Sequence, residues 1–219
     1  FDDARLGQLA SLIVEELRKG LDAERNARAE SLFKAEVAAG RIQFRLRLDG
    51  RNWRMPFTIE TTEPENARQL VNRAGGPLGK SLFAPVYENE LNGDEQDVAV
   101  YLDGEKTLTW WHRNVARAQY GIQGWKKSKI YPDFIFAVQR DGEARRITVL
   151  ETKGDQLDNP TDTAYKREAL AFLSAHFQWD NTTPVGELEL VNNGETVEGT
   201  LILMSEWKAK LPAHLTPSA

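Results

Sequence analysis

Three residues of this chain have the types and spacing needed to cut a phosphodiester bond: Asp133, Glu151 and Lys153. Asp133 follows Pro132 and opens a hydrophobic run, Phe134-Ile135-Phe136. Glu151 and Lys153 close another, Val149-Leu150-Glu151-Thr152-Lys153-Gly154. Between them lies Asp141-Gly142, a strong hairpin signal. A hairpin sets the start of its first strand beside the end of its second, so Asp133 is expected close to Glu151 and Lys153. Strand alternation points Glu151 and Lys153 the same way and Thr152 the other. Two carboxylates and a strand carbonyl at Thr152 are hard oxygen ligands suited to Mg²⁺, which keeps several waters of its own. A bound cation lowers the pKa of a water and neutralises charge building on phosphate. The lysine can position or help deprotonate that nucleophile, and its charge stabilises the transition state.

The elements that must hold these residues are legible around them. Asp94–Leu102 is expected to be an amphipathic helix with Val98, Ala99, Tyr101 and Leu102 inward, ended by Asp103-Gly104. Strands are expected at Thr107–Trp111, Tyr131–Val138 and Arg146–Glu151, then a helix over Thr161–Phe177 buried on Leu170, Phe172 and Leu173, then a buried strand at Thr200–Met204. Upstream, residues 2–38 read as helix, with apolar positions Leu6, Leu9, Leu12, Ile13, Leu17 and Leu21 and a break or bend at Gly20. Arg41–Leu48 alternates as a strand, Asp49-Gly50 turns it and Trp53–Ile59 returns. A short helix is expected over Glu63–Arg73, with Pro64 at its first position. Gly75-Gly76-Pro77-Leu78-Gly79 then reads as a linker or turn.

Glu-x-Lys alone carries little, since average usage gives about one per chain of this size. A second copy, Glu206-Trp207-Lys208, also follows a hydrophobic strand. Only the first is preceded, one hairpin earlier, by Pro-Asp at a strand start. The bland alternative for Asp133, Glu151 and Lys153 is a solvated ion-pair cluster at a strand end.

Pro132-Asp133 with Glu151-Thr152-Lys153, inside helix, three strands, helix, strand, resembles the PD-(D/E)xK restriction-endonuclease-like superfamily. Wider wording resembles the endonuclease domain that follows the helicase motor in type III restriction subunits: Trp110-Trp111-His112-Arg113-Asn114, Tyr131-Pro132-Asp133-Phe134-Ile135 and Leu150-Glu151-Thr152-Lys153-Gly154. The likeness covers about residues 87–205. It implies an α/β restriction-endonuclease-like core, a mixed sheet flanked by helices, at 87–219, after an N-terminal α+β accessory region at 1–86. It implies Mg²⁺-dependent hydrolysis of DNA, with Mn²⁺ expected to support activity, and a helicase or ATPase motor in the same chain or complex. In that superfamily an acidic residue on the preceding helix often completes the metal site. Glu95 is the best match here, with Glu90, Asp94 and Asp97 as rivals and a solvated helix face as the alternative. RecB-like nucleases carry Gln and Tyr four residues apart on the following helix. Here that helix reads Asp162-Thr163-Ala164-Tyr165-Lys166-Arg167-Glu168, without the glutamine, which argues against that branch. Tyr165 and Lys166 are candidate backbone contacts or an ordinary surface pair.

The span Trp110–Tyr131 holds Arg113, Arg117, Lys126, Lys127 and Lys129 and no acidic residue, interleaved with Trp110, Trp111, Tyr120, Trp125 and Tyr131. Such a mixture can track a phosphate backbone and stack on bases, or be core tryptophans beside a solvated loop. One of Trp110 and Trp111 is expected in the core, since adjacent strand residues face opposite sides.

The net charge of −5 is the wrong sign for a protein that grips nucleic acid over its whole surface, so contacts must be local. Cysteine is absent, which excludes disulfides and thiolate metal sites and fits a cytoplasmic setting. His112, His176 and His214 lack zinc-ligand spacing. No apolar run approaches the length of a membrane span, and no secretory signal pattern opens the chain. There is no Walker loop, dinucleotide fingerprint or Gly-x-Ser-x-Gly elbow. The start at Phe1 leads to the expectation of a fragment. The reading is a DNA endonuclease of a larger restriction or defence system. Its rivals are an inactive module of the same fold that binds nucleic acid or protein, and an enzyme acting on RNA.

Overall fold

The computed structural model describes residues 3–42, 59, 65–66, 68–139, 146–154, 160–177 and 196–216. The expected strand pair over 41–59, its turn at Asp49-Gly50 and the hairpin turn at Asp141-Gly142 lie, almost entirely, outside the described residues. The chain divides into two compact units, residues 1–43 with 123–129, and residues 44–122 with 130–219.

In the first unit, helix α1 spans Asp3–Ala38. It runs through Gly20 unbroken and ends where Gly40 takes φ +72°, the left-handed conformation glycine adopts without steric cost. Its second half carries Phe33 and Val37, both buried, and Phe33 packs on Trp125 with ring centroids 6.0 Å apart. Lys34 sits over the same indole at 5.1 Å. In its first half the expected apolar stripe (Leu9, Leu12, Ile13, Leu17, Leu21) is exposed.

The second unit is mixed α/β. Helix α2 (Gly93–Gly104) leads to strands β1 (Leu108–Arg113), β2 (Phe134–Val138) and β3 (Arg146–Lys153), then helix α3 (Pro160–His176), strand β4 (Thr196–Leu203) and helix α4 (Trp207–Leu215). The sheet order is β1-β2-β3-β4. The first two pairings are antiparallel and β3–β4 is parallel, with α3 in the crossover. All five β2 residues are buried, so this strand is covered on both faces. On one face Trp111, Phe134, Phe136, Val138, Leu150 and Ile202 pack with Val98, Ala99 and Leu102 of α2 and Trp207, Leu211 and Leu215 of α4. α3 covers the other, burying Ala169, Leu170 and Leu173. Gly199 makes that crossing close, since a Cβ there would lie 3.0 Å from the Leu170 carbonyl oxygen.

One expectation needs correction, and one element was not foreseen. Residues 68–77 are not helical: Gln69 and Val71 form bridges with Tyr87 and Pro77. Asn72 Oδ1 accepts from the N–H groups of Ala74 and Gly76, a local turn that competes with helix. Helix α4 has no counterpart in the expected elements. Residues 80–82 also add to the sheet edge, with the Trp111 N–H donating to the Lys80 carbonyl and the Leu82 N–H to the Trp111 carbonyl, both at 2.8 Å. Of the tryptophan pair, Trp111 is fully buried and Trp110 half-buried. Among the described residues no helix is long and apolar enough to cross a membrane.

Candidate active site at the end of strand β3

Where β2 begins, Asp133 continues the ladder by one step. Its N–H donates to the Leu150 carbonyl at 2.9 Å, and its carbonyl accepts from the Asn114 N–H at 2.8 Å. The register Phe134↔Leu150 sets Asp133 across from Glu151. Its carboxylate leans over the strand end, where Oδ2 accepts from the Thr152 N–H at 2.7 Å and the Thr152 hydroxyl at 2.6 Å. Burial raises the Asp133 pKa, against the lowering effect of the Thr152 bonds and of Arg113.

Glu151 and Lys153 point to the α3 side. Glu151 is 5% exposed, and its Oε1 accepts from Lys166 Nζ at 2.5 Å. Its Oε2 is buried with no hydrogen-bond partner. Burial pushes this carboxyl up to about 7, helped by the negative charge of Asp133 and opposed by Lys166. For Lys166, burial works to lower the ammonium, but Glu151, Asp162 and Asp133 outweigh it and raise it. Lys153 is also buried, with its Nζ 3.6 Å from Asp162 Oδ2. Lys166 Nζ is 3.8 Å from that same oxygen. Two lysines and three carboxylates therefore share this end of the sheet.

Glu95 lies at the N-terminus of α2 in a capping box: Asn92 Oδ1 accepts from the Glu95 N–H at 2.9 Å, and Glu95 Oε2 accepts from the Asn92 N–H at 3.0 Å. Its Oε1 accepts from Arg113 Nη2 at 2.6 Å. Glu95 is buried and close enough to Asp133 to raise its pKa, yet both of its oxygens are already bonded. Its rivals Glu90, Asp94 and Asp97 are exposed. Among the described residues no three His, Cys, Asp or Glu side chains converge as a metal-holding group.

Arg113, expected to meet nucleic acid, is instead turned inward onto Glu95, with its guanidinium 5.9 Å from the Phe134 ring centroid. Arg117 is exposed, with φ +66°. Lys126, Lys127 and Lys129 belong to the first compact unit, and Lys127 and Lys129 are exposed. Glu206 and Lys208 are a surface pair at the start of α4, where Glu206 meets Lys210 at 2.5 Å and Lys208 lies over Trp207.

Two residues that the sequence reading did not count among the site residues hold the site in shape. Asn114 is fully buried. Its amide donates to the carbonyls of Tyr120 and Pro132 at 2.9 and 2.8 Å, and its Oδ1 accepts from the Tyr120 N–H at 2.9 Å. It thereby ties the loop after β1 to the residue before Asp133. Asp162 bridges the two lysines. Its place four residues before Lys166 was a readable signal. His112 is buried, and its Nε2 lies 2.9 Å from Gln119 Oε1, an atom that also accepts from the Val115 N–H. Burial pushes this imidazole down to about 4, so at neutral pH it is uncharged and donates through Nε2.

Comparison with protein-family models, with curated proteins and with solved structures found no match to this chain.

Proposed function

We propose that this chain is a PD-(D/E)xK nuclease domain that hydrolyses DNA phosphodiester bonds with Mg²⁺. The observation that carries the reading is the Glu151 carboxyl: buried, raised to about 7, and with one oxygen left without a partner beside Asp133. A buried carboxylate oxygen without a partner, near enough to a second carboxylate to feel its charge, is costly in a folded protein, and a divalent cation would remove that cost. The donor set of Asp133, Glu151 and the Thr152 carbonyl is all hard oxygen, the preference of Mg²⁺. The element order, an antiparallel β1-β2-β3 run with β4 added in parallel through α3, also agrees with a restriction-endonuclease-like core.

A bound cation would supply Lewis acidity and a water of lowered pKa. The chain's own residues do the rest. Asp133 and Glu151 hold the charge. Thr152 fixes the Asp133 carboxylate through two hydrogen bonds. Lys153, kept at the site by Asp162, faces the same end as Glu151 and orients the attacking water or stabilises charge on the phosphate. Lys166 neutralises Glu151, and a cation held by Asp133 and Glu151 would take over that role and leave the Lys166 ammonium available to the phosphate backbone. The helix-borne Glu95 takes part by holding Arg113 beside Asp133. Strand cleavage of plasmid DNA by the full-length protein tests the reading: it should require Mg²⁺ or Mn²⁺ and fail in Lys153→Ala, while Mn²⁺ binding persists because an ammonium is not a ligand. Cleavage by Lys153→Ala at the parent's rate would remove that residue from the mechanism.

A further inference from the structure

Of the basic residues at and after the end of β1, Arg113 is turned onto Glu95, and Lys126, Lys127 and Lys129 belong to the first compact unit. Arg117 alone among them is both exposed and part of the unit that holds Asp133. It makes no ion pair among the described residues, and its loop, Val115-Ala116-Arg117-Ala118-Gln119, contains no carboxylate.

That loop is fixed at both ends. Gln119 Oε1 accepts from the Val115 N–H at 2.8 Å and lies 2.9 Å from His112 Nε2, while the Gln119 N–H donates to the Val115 carbonyl at 2.9 Å. Below this turn, the Asn114 side chain and the Tyr120 backbone exchange a pair of hydrogen bonds, each 2.9 Å. The same Asn114 donates from its amide to the Pro132 carbonyl and from its N–H to the Asp133 carbonyl, both at 2.8 Å. One buried residue therefore anchors the loop to the chain at Asp133. Arg117 follows Asn114 by three residues, which keeps its Cα within about 11 Å of that anchor. Such a distance is about three base-pair steps along a duplex.

At the tip Arg117 takes φ +66°. A side chain meets a steric cost there that glycine does not. Asn66, the other described non-glycine residue with positive φ, is of a type that visits this region; arginine is not. Strain of this kind persists where the surrounding structure enforces it, and it clusters at ligand clamps. Here the hydrogen bonds of the loop enforce it, and the strained residue supplies a guanidinium without a protein partner. Val115, 50% exposed, and the exposed Ala116 and Ala118 flank it, so no neighbouring charge in the loop competes for an anion. A guanidinium meets a phosphate through two parallel N–H bonds.

We propose that Arg117 binds an internal phosphodiester of the substrate duplex, within a few nucleotides of the one attacked at Asp133 and Glu151. The inference rests on the nuclease reading and adds a DNA contact to it. The clamp made by Asn114 and Gln119 holds this contact in register with Asp133.

The test uses the full-length protein in EDTA, where hydrolysis is stopped, and measures affinity for an oligonucleotide duplex across a salt series. Arg117→Gly should weaken binding about tenfold, the loss of a bond between charged groups. The slope of log K against log salt should fall by about 0.9, one phosphate contact. The Tm of this variant should equal or exceed the parent's, because glycine adopts φ +66° without steric cost. Arg117→Lys keeps the charge, so it should keep the parent's salt slope while losing part of the affinity with the second N–H bond. Duplexes without terminal phosphates should show the same losses. Losses confined to phosphorylated ends would move the contact to a strand end and overturn the internal site. Parent-like affinity and slope in Arg117→Gly overturn the proposal, and so does a loss of affinity matched by a lowered Tm, the mark of a structural arginine. The nuclease reading would survive either result if the parent cleaves with Mg²⁺ and Asp133→Ala does not. A parent that neither binds nor cleaves DNA overturns both.

Discussion

Lys166 Nζ lies 2.5 Å from Glu151 Oε1, yet the Glu151 carboxyl still titrates near 7, because burial and the charge of Asp133 outweigh the ion pair. The ammonium neutralises one oxygen and leaves the other buried without a partner. A pair arranged this way favours whatever adds positive charge at Oε2, a proton or a cation.

That has a consequence for stability. A carboxyl with a folded pKa of about 7, raised from 4.5, holds its proton longer in the folded state than in the unfolded one. Its contribution is therefore fully present below about pH 4.5 and is lost as pH rises through 7, a change of up to about 3 kcal/mol. Metal-free Glu151→Gln should lose this downward slope and match or exceed the parent's stability at pH 8. Urea titrations at a series of pH values would show it. In the parent, Mn²⁺ affinity should rise over the same window as the proton is displaced.

His112 works in the opposite direction. Its folded pKa, pushed down to about 4 from 6.5, means that the unfolded chain takes up the proton first. Stability from this group is present above about pH 6.5 and is lost as pH falls toward 4, again by up to about 3 kcal/mol. The two slopes oppose one another, so the parent's curve should look flat between pH 5 and 7. His112→Gln should uncover the Glu151 slope, with stability falling as pH rises. An unchanged curve in that variant would place the titration elsewhere.

Gly199→Ala should destabilise the fold by about 1–3 kcal/mol, as overpacking does. The new Cβ meets the Leu170 carbonyl oxygen at 3.0 Å, and that atom belongs to the helix backbone and cannot swing aside. Ser174 Oγ, which accepts from the Gly199 N–H at 2.8 Å, would lose its geometry too. Thermal unfolding of the variant reads this out; parent-like Tm would mean that α3 can shift over β4 at little cost.

The exposed lysines Lys127 and Lys129, with neighbouring Lys126, remain a candidate DNA contact. Neutralising the three together should flatten the salt dependence of DNA binding, because fewer counterions are released. An unchanged slope would put the contact surface elsewhere.

How much of this could be read beforehand follows from the range of each signal. β1, β2 and β3 and their shared end were legible because alternation and turn residues act locally, and Asp133 met Glu151 where a hairpin must bring them. Glu95 was picked out as an acid near the site, but Asn92-x-x-Glu95 is equally a capping box, and the structure has it in that box as well as bonded to Arg113. That ion pair joins residues 18 apart on different elements, which no local pattern announces. Arg113 therefore read as part of a basic stripe. The helix expected over Glu63–Arg73 rested on Pro64 as a start signal, without weighing Asn72 and Gly75, whose turn chemistry prevails. α4 was missed because Pro212 lies inside it, a residue that ordinarily argues against a helix.

The most direct measurement is Mg²⁺-dependent DNA cleavage by the full-length protein, with any motor or partner it requires, comparing the parent with Asp133→Ala. Glu206→Ala and Lys208→Ala serve as controls for the second Glu-x-Lys, on the surface at α4. The account predicts cleavage by the parent and by both controls, and none by Asp133→Ala, which should remain folded apart from the bonds lost at Thr152. If Asp133→Ala cuts as fast as the parent, the active site assigned to Asp133, Glu151 and Lys153 is wrong.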